Sequence, residues 1–208
     1  MAESAVLPTR FPSLYPLHAM ADQLMVDLGT LKESLDDIRR APADLGTVEL
    51  VVRRPADEQR EVLAQAWLDA ESGLGGDLWP TRIPKGMTSP DPEAQLTVAN
   101  ARALAAFAVD RSRWPMAGDQ LFVDFDISES NLPPGSRLQV GDAVLEFSAK
   151  PHTGCKKFSG RFGLDALEFV STPIGKELRL RGANCRVVVS GLVRVGDTVR
   201  KLPAGASS

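Results

Sequence analysis

The sequence predicts an α+β protein, mainly β, with a β-barrel-like core, peripheral helices and an N-terminal helix. Three observations lead there. Short strand-like stretches recur, rich in β-branched residues in Thr47–Arg53 and Asn184–Ser190 and alternating Leu121, Val123 and Phe125 with other residues in Asp119–Asp126. Turn chemistry separates them, in LPPGSRL from Leu132 to Leu138, Gly141-Asp142 and Gly196-Asp197. Helical patterns are few and do not alternate regularly with the strands, which argues against a doubly wound parallel sheet. The expected organisation is a helical extension over 1–44, one domain over 45–203 and a mobile tail over 204–208.

In chain order, apolar residues at Leu17, Ala21, Leu24, Leu28, Leu31, Leu35 and Ile38 are spaced by four and three, a helix stripe that Pro42 ends. The stripe either docks on the body of the protein or pairs with a second copy into a homodimer. TVELVVR, Thr47–Arg53, is a strand closed by Pro55. Asp57 is a suitable cap for a helix to about Ser72, with Val62, Leu63, Ala66 and Trp67 on its inner face and Gly73 at its end. GLGGDLW, Gly73–Trp79, is then either a tight loop or a nest whose backbone N–H groups face an anion; it has no Walker or dinucleotide fingerprint. PTRIPKGMTSPDPE is a long surface loop. Gln95–Val98 is a short strand, and Ala99–Val109 is an alanine-rich helix followed by Trp114 and Pro115. Leu121, Val123 and Phe125 mark the next strand. Pro134 and Gly135 suit the centre of a type II turn, and Leu138–Val140 with Val144–Phe147 form a hairpin. Asn184–Ser190, Leu192–Val195 and a strand ending near Leu202 complete the chain.

Composition narrows the function classes. With 208 residues, 43% of them hydrophobic, the chain has enough apolar material for a full core. A net charge of −3 provides no general attraction for nucleic acid. Prolines interrupt the N-terminal segment MAESAVLPTRFPSLYP, which has no secretory pattern, and the longest apolar run, Ala103–Val109, is too short to span a bilayer. A cytoplasmic protein is expected. Two cysteines, Cys155 and Cys185, make neither a disulfide framework nor a zinc spacing.

The chemistry is expected in PHTGCKKFSGRFG, Pro151–Gly163. Thr153 is a suitable N-cap for a short helix through Phe162, with Cys155 in its first two residues. A helix N-terminus and nearby cations stabilise a thiolate, so Cys155 is either a reactive thiol or soft metal ligand, or a small buried apolar residue. His152 is either a partner of that thiol and proton donor, or a plain turn residue. Lys156, Lys157 and Arg161 either hold an anion or form a solvated face. Cys185, within NCRVVV, reads as a core residue.

GLGGD at Gly73, AGDQLFVDFDIS, LPPGSRLQVGDAVLEFS, HTGCKKF at His152 and GLVRVGDTV at Gly191 together resemble the MOSC domain, named for the C-terminal domain of molybdenum cofactor sulfurase. The resemblance covers roughly Gly46–Leu202. It implies a barrel-like domain associated with the molybdenum cofactor, molybdopterin, and maps the family's cysteine onto Cys155. Members look like sulfur carriers or cofactor-binding modules, and some are molybdenum-dependent reductases of N-hydroxylated compounds. The resemblance thus implies a metal-binding or sulfur-carrying Cys155, with His152 beside it as a catalytic candidate. Gly75, Gly76, Asp77, Thr153, Gly154, Lys156, Lys157 and Arg161 become cofactor-binding candidates, the glycine-rich loop facing Cys155 across one pocket. One departure stands out: many members follow the glycine-aspartate with arginine and histidine, whereas Asp77 here precedes Leu78 and Trp79. The chain resembles neither a pyridoxal-phosphate-dependent cysteine desulfurase nor an iron–sulfur ferredoxin, so a sulfur or electron donor is expected to be a separate protein. A module that keeps the fold without the chemistry is the remaining alternative.

Overall fold

A computed structural model describes residues 25–203. Leu17, Ala21, Leu24 and the tail 204–208 lie outside them. Strand β1 (Leu45–Arg53) is where the architecture is decided, because it contributes to two cores. Val48 and Val51 point into one and Leu50 and Val52 into the other, and a register shift between Val48 and Leu50 produces this change of parity. A bulge does this because one unpaired residue reverses which face every later side chain occupies.

Around β1 a mixed barrel closes. β1 pairs with β6 (Leu121–Asp124), which is followed in the ring by β5 (Leu96–Asn100), β9 (Ala183–Val189), β8 (Ala143–Phe147), β7 (Arg137–Val140) and β11 (Thr198–Lys201). β11 returns to β1, with Leu45 opposite Arg200 and Thr47 opposite Thr198. Closure leaves no free edge in the ring of seven strands. Only β5 and β6 run parallel, joined by a crossover through α3 (Ala101–Ala108), which Asn100 caps by accepting from the N–H groups of Arg102 and Ala103. Four smaller strands stand outside the ring: β2 (Glu61–Leu63) on β1, and β3 (Gln65–Asp69) between β4 (Gly73–Leu74) and β10 (Gly191–Arg194). The expected type II turn is present, with Gly135 at φ +86° and Ser136 N–H donating to Pro133 O.

The barrel interior is filled by residues such as Leu96, Phe125, Leu145 and Val199. A helical layer covers one flank. It comprises α1 (Leu28–Glu33), α2 (Leu35–Arg39), α3, α4 (Lys156–Phe162), α5 (Leu164–Ser171) and α6 (Pro173–Glu177). Phe107, Phe158 and Phe162 meet there with ring centroids 5.1–5.3 Å apart, so α4 is held to the body by its own aromatic residues. Leu31 and Ile38 of the N-terminal stripe are buried in the same layer, with Leu28 and Leu35 packed against it.

Four local expectations are corrected. The helix from Asp57 to Ser72 is absent, and that segment forms β2 and β3. Ala66 and Leu68 are buried while Trp67 is 52% exposed, a period of two where the helix reading required one apolar face. Local preference for helix in EVLAQAWLDAES is outweighed by pairing, Val52 against Val62 and Trp67 against Leu192. Gly73 consequently ends no helix; at φ +76° it opens β4. The stripe does not form one helix over its described part but two short ones that meet at Ser34, whose hydroxyl donates to Leu31 O. Finally, α4 is capped by Cys155 and not by Thr153, and Cys155 makes no side-chain capping bond.

Candidate functional site

Three loops converge on one end of the barrel. They are the turn leaving β1 at Arg54, the long connection from Asp77 to Ala94, and a strap from Ser148 into α4. They enclose a cavity of about 360 Å³, with exposed Cys155 on its rim. Seven cations line it, among them Arg54, Arg60, Lys157 and Arg161, against three carboxylates, Asp57, Glu58 and Asp91. A surplus of that kind inside a concave surface attracts anions.

The GLGGD loop contributes indirectly. Gly75 N–H donates to Trp67 O, Asp77 N–H to Leu74 O and Leu78 N–H to Arg54 O, so these donors are spent on backbone carbonyls of the chain itself. The loop is a tight turn; Gly75 and Gly76 do not line the cavity, and the anion-nest alternative has no support. Gly76 is required there by geometry: at φ +75°, a Cβ would come within 2.8 Å of the Arg53 guanidinium. Asp77 acts through Arg54. Its buried carboxylate accepts from the guanidinium at 3.0 and 2.9 Å and from Arg54 and Trp79 N–H at 3.0 Å each. That arrangement fixes Arg54 and Trp79 where both face the cavity.

Across the cavity, Glu58 holds the cations of α4. Lys157 donates to it at 2.5 Å, Arg161 also donates to it, and Lys157 lies 3.6 Å from Asp57. The Lys157 hydrogen bond, followed by the charge of Arg161, holds the Glu58 carboxyl below its ordinary range, and the same bond raises Lys157. Glu58 occupies φ +57°, a costly conformation for a residue with a Cβ. Arg60 is the counter-case: burial, then its neighbours Arg161 and Arg54, disfavours its charge, and its Nε has no protein acceptor. Lys156 is exposed and lines neither this cavity nor a second one, which Thr153 and Gly154 line.

His152 places its Nδ1 beside Asp119, and among the described residues no hydrogen bond joins it to the thiol of Cys155. Its Nδ1 lies 3.7 Å from Asp119 Oδ1, too long for a direct bond, and both atoms lack a partner. Asp119 is fully buried and takes Arg181 Nη1 at 2.8 Å. Burial, then the adjacent Arg181 charge, lowers the His152 imidazole to about 4, so it is neutral at physiological pH. Cys185 is completely buried in β9, where burial pushes its thiol up.

Arg54, Arg60, Asp119 and Arg181 were not among the sequence candidates. Asp119 lay within AGDQLFVDFDIS, but no local signal connects it to His152; their meeting is a product of the fold.

A family model for the MOSC domain matches residues 73–200. No curated protein matches the chain. Among solved structures, the YuaD protein from Bacillus subtilis superposes with a TM-score of 0.57 at 15% identity, covering 74% of this chain and 94% of that one. A hypothetical protein gives 0.53 at 19% identity over 76% and 68%, and YiiM from Escherichia coli 0.51 at 17% over 77% and 72%. At such identities the likeness is one of fold. The family model spans more than half of the sequence, including the strap, Cys155 and Asp119, and on that ground the chain belongs to the MOSC domain family.

Proposed function

We propose that the basic cavity binds the molybdenum cofactor and that Cys155 is the one protein ligand to its metal. The supporting observation is an exposed thiol on the rim of a cavity lined by seven cations. Family membership points to molybdenum-cofactor-related function in general terms. The residues present fit such a group. Among the described residues no three His, Cys, Asp or Glu side chains are placed to hold a metal ion. A metal at Cys155 therefore has to bring most of its ligands, as a metal–dithiolene cofactor does. Arg60 and Arg181 hold buried Nε–H groups without acceptors, which suit the oxygens of a phosphate or a pterin.

The cofactor, when bound, supplies two-electron exchange at its metal. The chain's own residues do the rest. Arg60, Lys157 and Arg161 draw in the phosphate, Arg54 is held in place by Asp77, and Trp79 and Phe158 offer flat apolar surface to a planar ring. His152 can hydrogen-bond a ligand without adding charge. Lys156 adds only long-range attraction, and Gly75, Gly76, Thr153 and Gly154 shape the segments around the site.

A second reading, sulfur carriage as a persulfide on Cys155, is favoured by the exposure of that thiol. Either role calls for a separate protein, a cysteine desulfurase for sulfur or an electron-transfer protein for reduction of N-hydroxylated compounds. A cytoplasmic location and pairing of two copies through the N-terminal helix belong to the same proposal. No helix of the described residues is long and apolar enough to cross a membrane.

The test is metal analysis of protein purified from a molybdate-supplied host. Near-stoichiometric molybdenum, largely lost in Cys155→Ala, is expected. Full retention of the metal by Cys155→Ala overturns the ligand assignment. Cyanide-labile sulfur without molybdenum favours the carrier, and neither signal favours a module that keeps only the fold.

A further inference from the structure

A second cavity, about 450 Å³, lies on the other side of the strap. Lys150, His152, Arg181 and Asn184 line both cavities, so the two are neighbours divided by one stretch of chain. Their chemistry differs. The first is crowded with cations already opposed by Asp57, Glu58 and Asp91. In the second, Lys150 and Arg181 are paired to carboxylates outside it, Asp91 and Asp119. Among the described residues neither Lys176 nor Arg179 has a carboxylate within ion-pair distance, and Glu129, the one carboxylate in the lining, acts on Arg179 only at longer range. The Arg179 guanidinium sits 5.3 Å from the Phe147 ring and donates to Ile127 O and Leu132 O. Its backbone is at φ +48°, a strained conformation for arginine that the turn from Lys176 to Gly182 maintains. Pro134, Ala149, Pro151 and Val170 supply an apolar wall. At the partition, His152 Nδ1 and Arg181 Nε are buried without partners.

We propose that this second cavity is the substrate lobe, and that it takes a small organic molecule carrying one carboxylate or similar anionic group. The anion faces Lys176 and Arg179, the apolar part lies against Pro134 and Val170, and the polar reacting end meets His152 at the partition. The proposal rests on the cofactor-site reading for the first cavity, since the partition is what brings such a substrate to it. It adds a second anion-binding site, set beside its own apolar wall.

The experiment is calorimetric titration of the full chain with three probes: benzohydroxamate, 4-carboxybenzohydroxamate and inorganic pyrophosphate. The two hydroxamates differ by one carboxylate and share an N-hydroxylated end. The carboxylated probe is expected to bind about fivefold more tightly, the worth of one partly exposed ion pair. Lys176→Glu removes that preference, and Ser171→Trp, at an exposed position on the lining, blocks both hydroxamates. Neither change alters pyrophosphate binding, which Arg60→Gln weakens instead. Equal affinity of the two hydroxamates, or a preference that survives Lys176→Glu and Ser171→Trp, overturns the proposal. Failure of pyrophosphate to bind counts against the cofactor reading alone, because the hydroxamate comparison is made within one cavity.

Discussion

Cys155 and Cys185 show how burial sorts identical side chains. The first is exposed on the cavity rim; the second is sealed in β9, where desolvation raises its thiol. Iodoacetamide at pH 7.5, followed by peptide mass analysis, should therefore modify Cys155 first, and prior labelling of Cys185 would reverse the site assignment. Asp77 matters through the charge it neutralises. With its carboxylate unexposed and Arg54 only 12% exposed, Asp77→Asn leaves a buried guanidinium unpaired and should cost about 3 kcal/mol. Urea unfolding measures that cost, and pyrophosphate affinity should fall with it as Arg54 loses its position. His152 carries a pH signature. Its folded value, about 4, lies below the ordinary 6.5, so the unfolded chain binds more protons between them. Stability should accordingly rise with pH across that window, by on the order of 3 kcal/mol from His152 alone. Below about pH 4 its contribution no longer changes. Unfolding curves of His152→Asn should be flatter than wild type between pH 4 and 6.5, and coincident slopes would show that the imidazole is not desolvated.

At the scale of elements, β3 settles a competition between local preference and pairing. A strand and a helix predict opposite outcomes for two adjacent residues. In the strand, Leu68 is fully buried and Trp67 half exposed, so Leu68→Ala should cost about 3 kcal/mol while Trp67→Thr stays within about 1 kcal/mol. A helix with Trp67 on its inner face reverses that order, and thermal unfolding of the two variants distinguishes them. The same segment explains why the GLGGD loop was legible as a motif but not in its role. Its glycines act as backbone devices, with Gly75 N–H closing the β3–β4 turn onto Trp67 O, and only Trp79 reaches the cavity.

At the scale of the whole molecule, the helical layer ties the N-terminal extension to the strap. Leu31 and Ile38 pack into the same cluster as Phe158 and Phe162, and Leu28 N–H donates to Asp165 at the start of α5. Deleting residues 1–43 uncovers that cluster and should lower the melting temperature by roughly 10 °C, since each lost large apolar side chain is worth a few kcal/mol. An unchanged melting temperature marks the extension as dispensable. A fall in solution mass beyond that of the deleted residues shows that it also pairs two copies.

The sequence by itself determined the β-rich class, most strand positions, the type II turn at Pro134-Gly135, the burial of Cys185 and the segment that carries the exposed thiol. These are short-range properties: alternation, turn chemistry and the order of blocks along the chain. Tertiary structure alone decided that β2 and β3 are strands, that the barrel closes through β1 and β11, and that Asp77 acts through Arg54. It also decided that Asp119 and Arg181 meet His152. The physical reason is shared by most of them: pairing energy and the desolvation of charge depend on partners tens of residues away, as for Trp67 and Leu192 or Arg54 and Asp77, and no local window of the chain contains both members of such a pair.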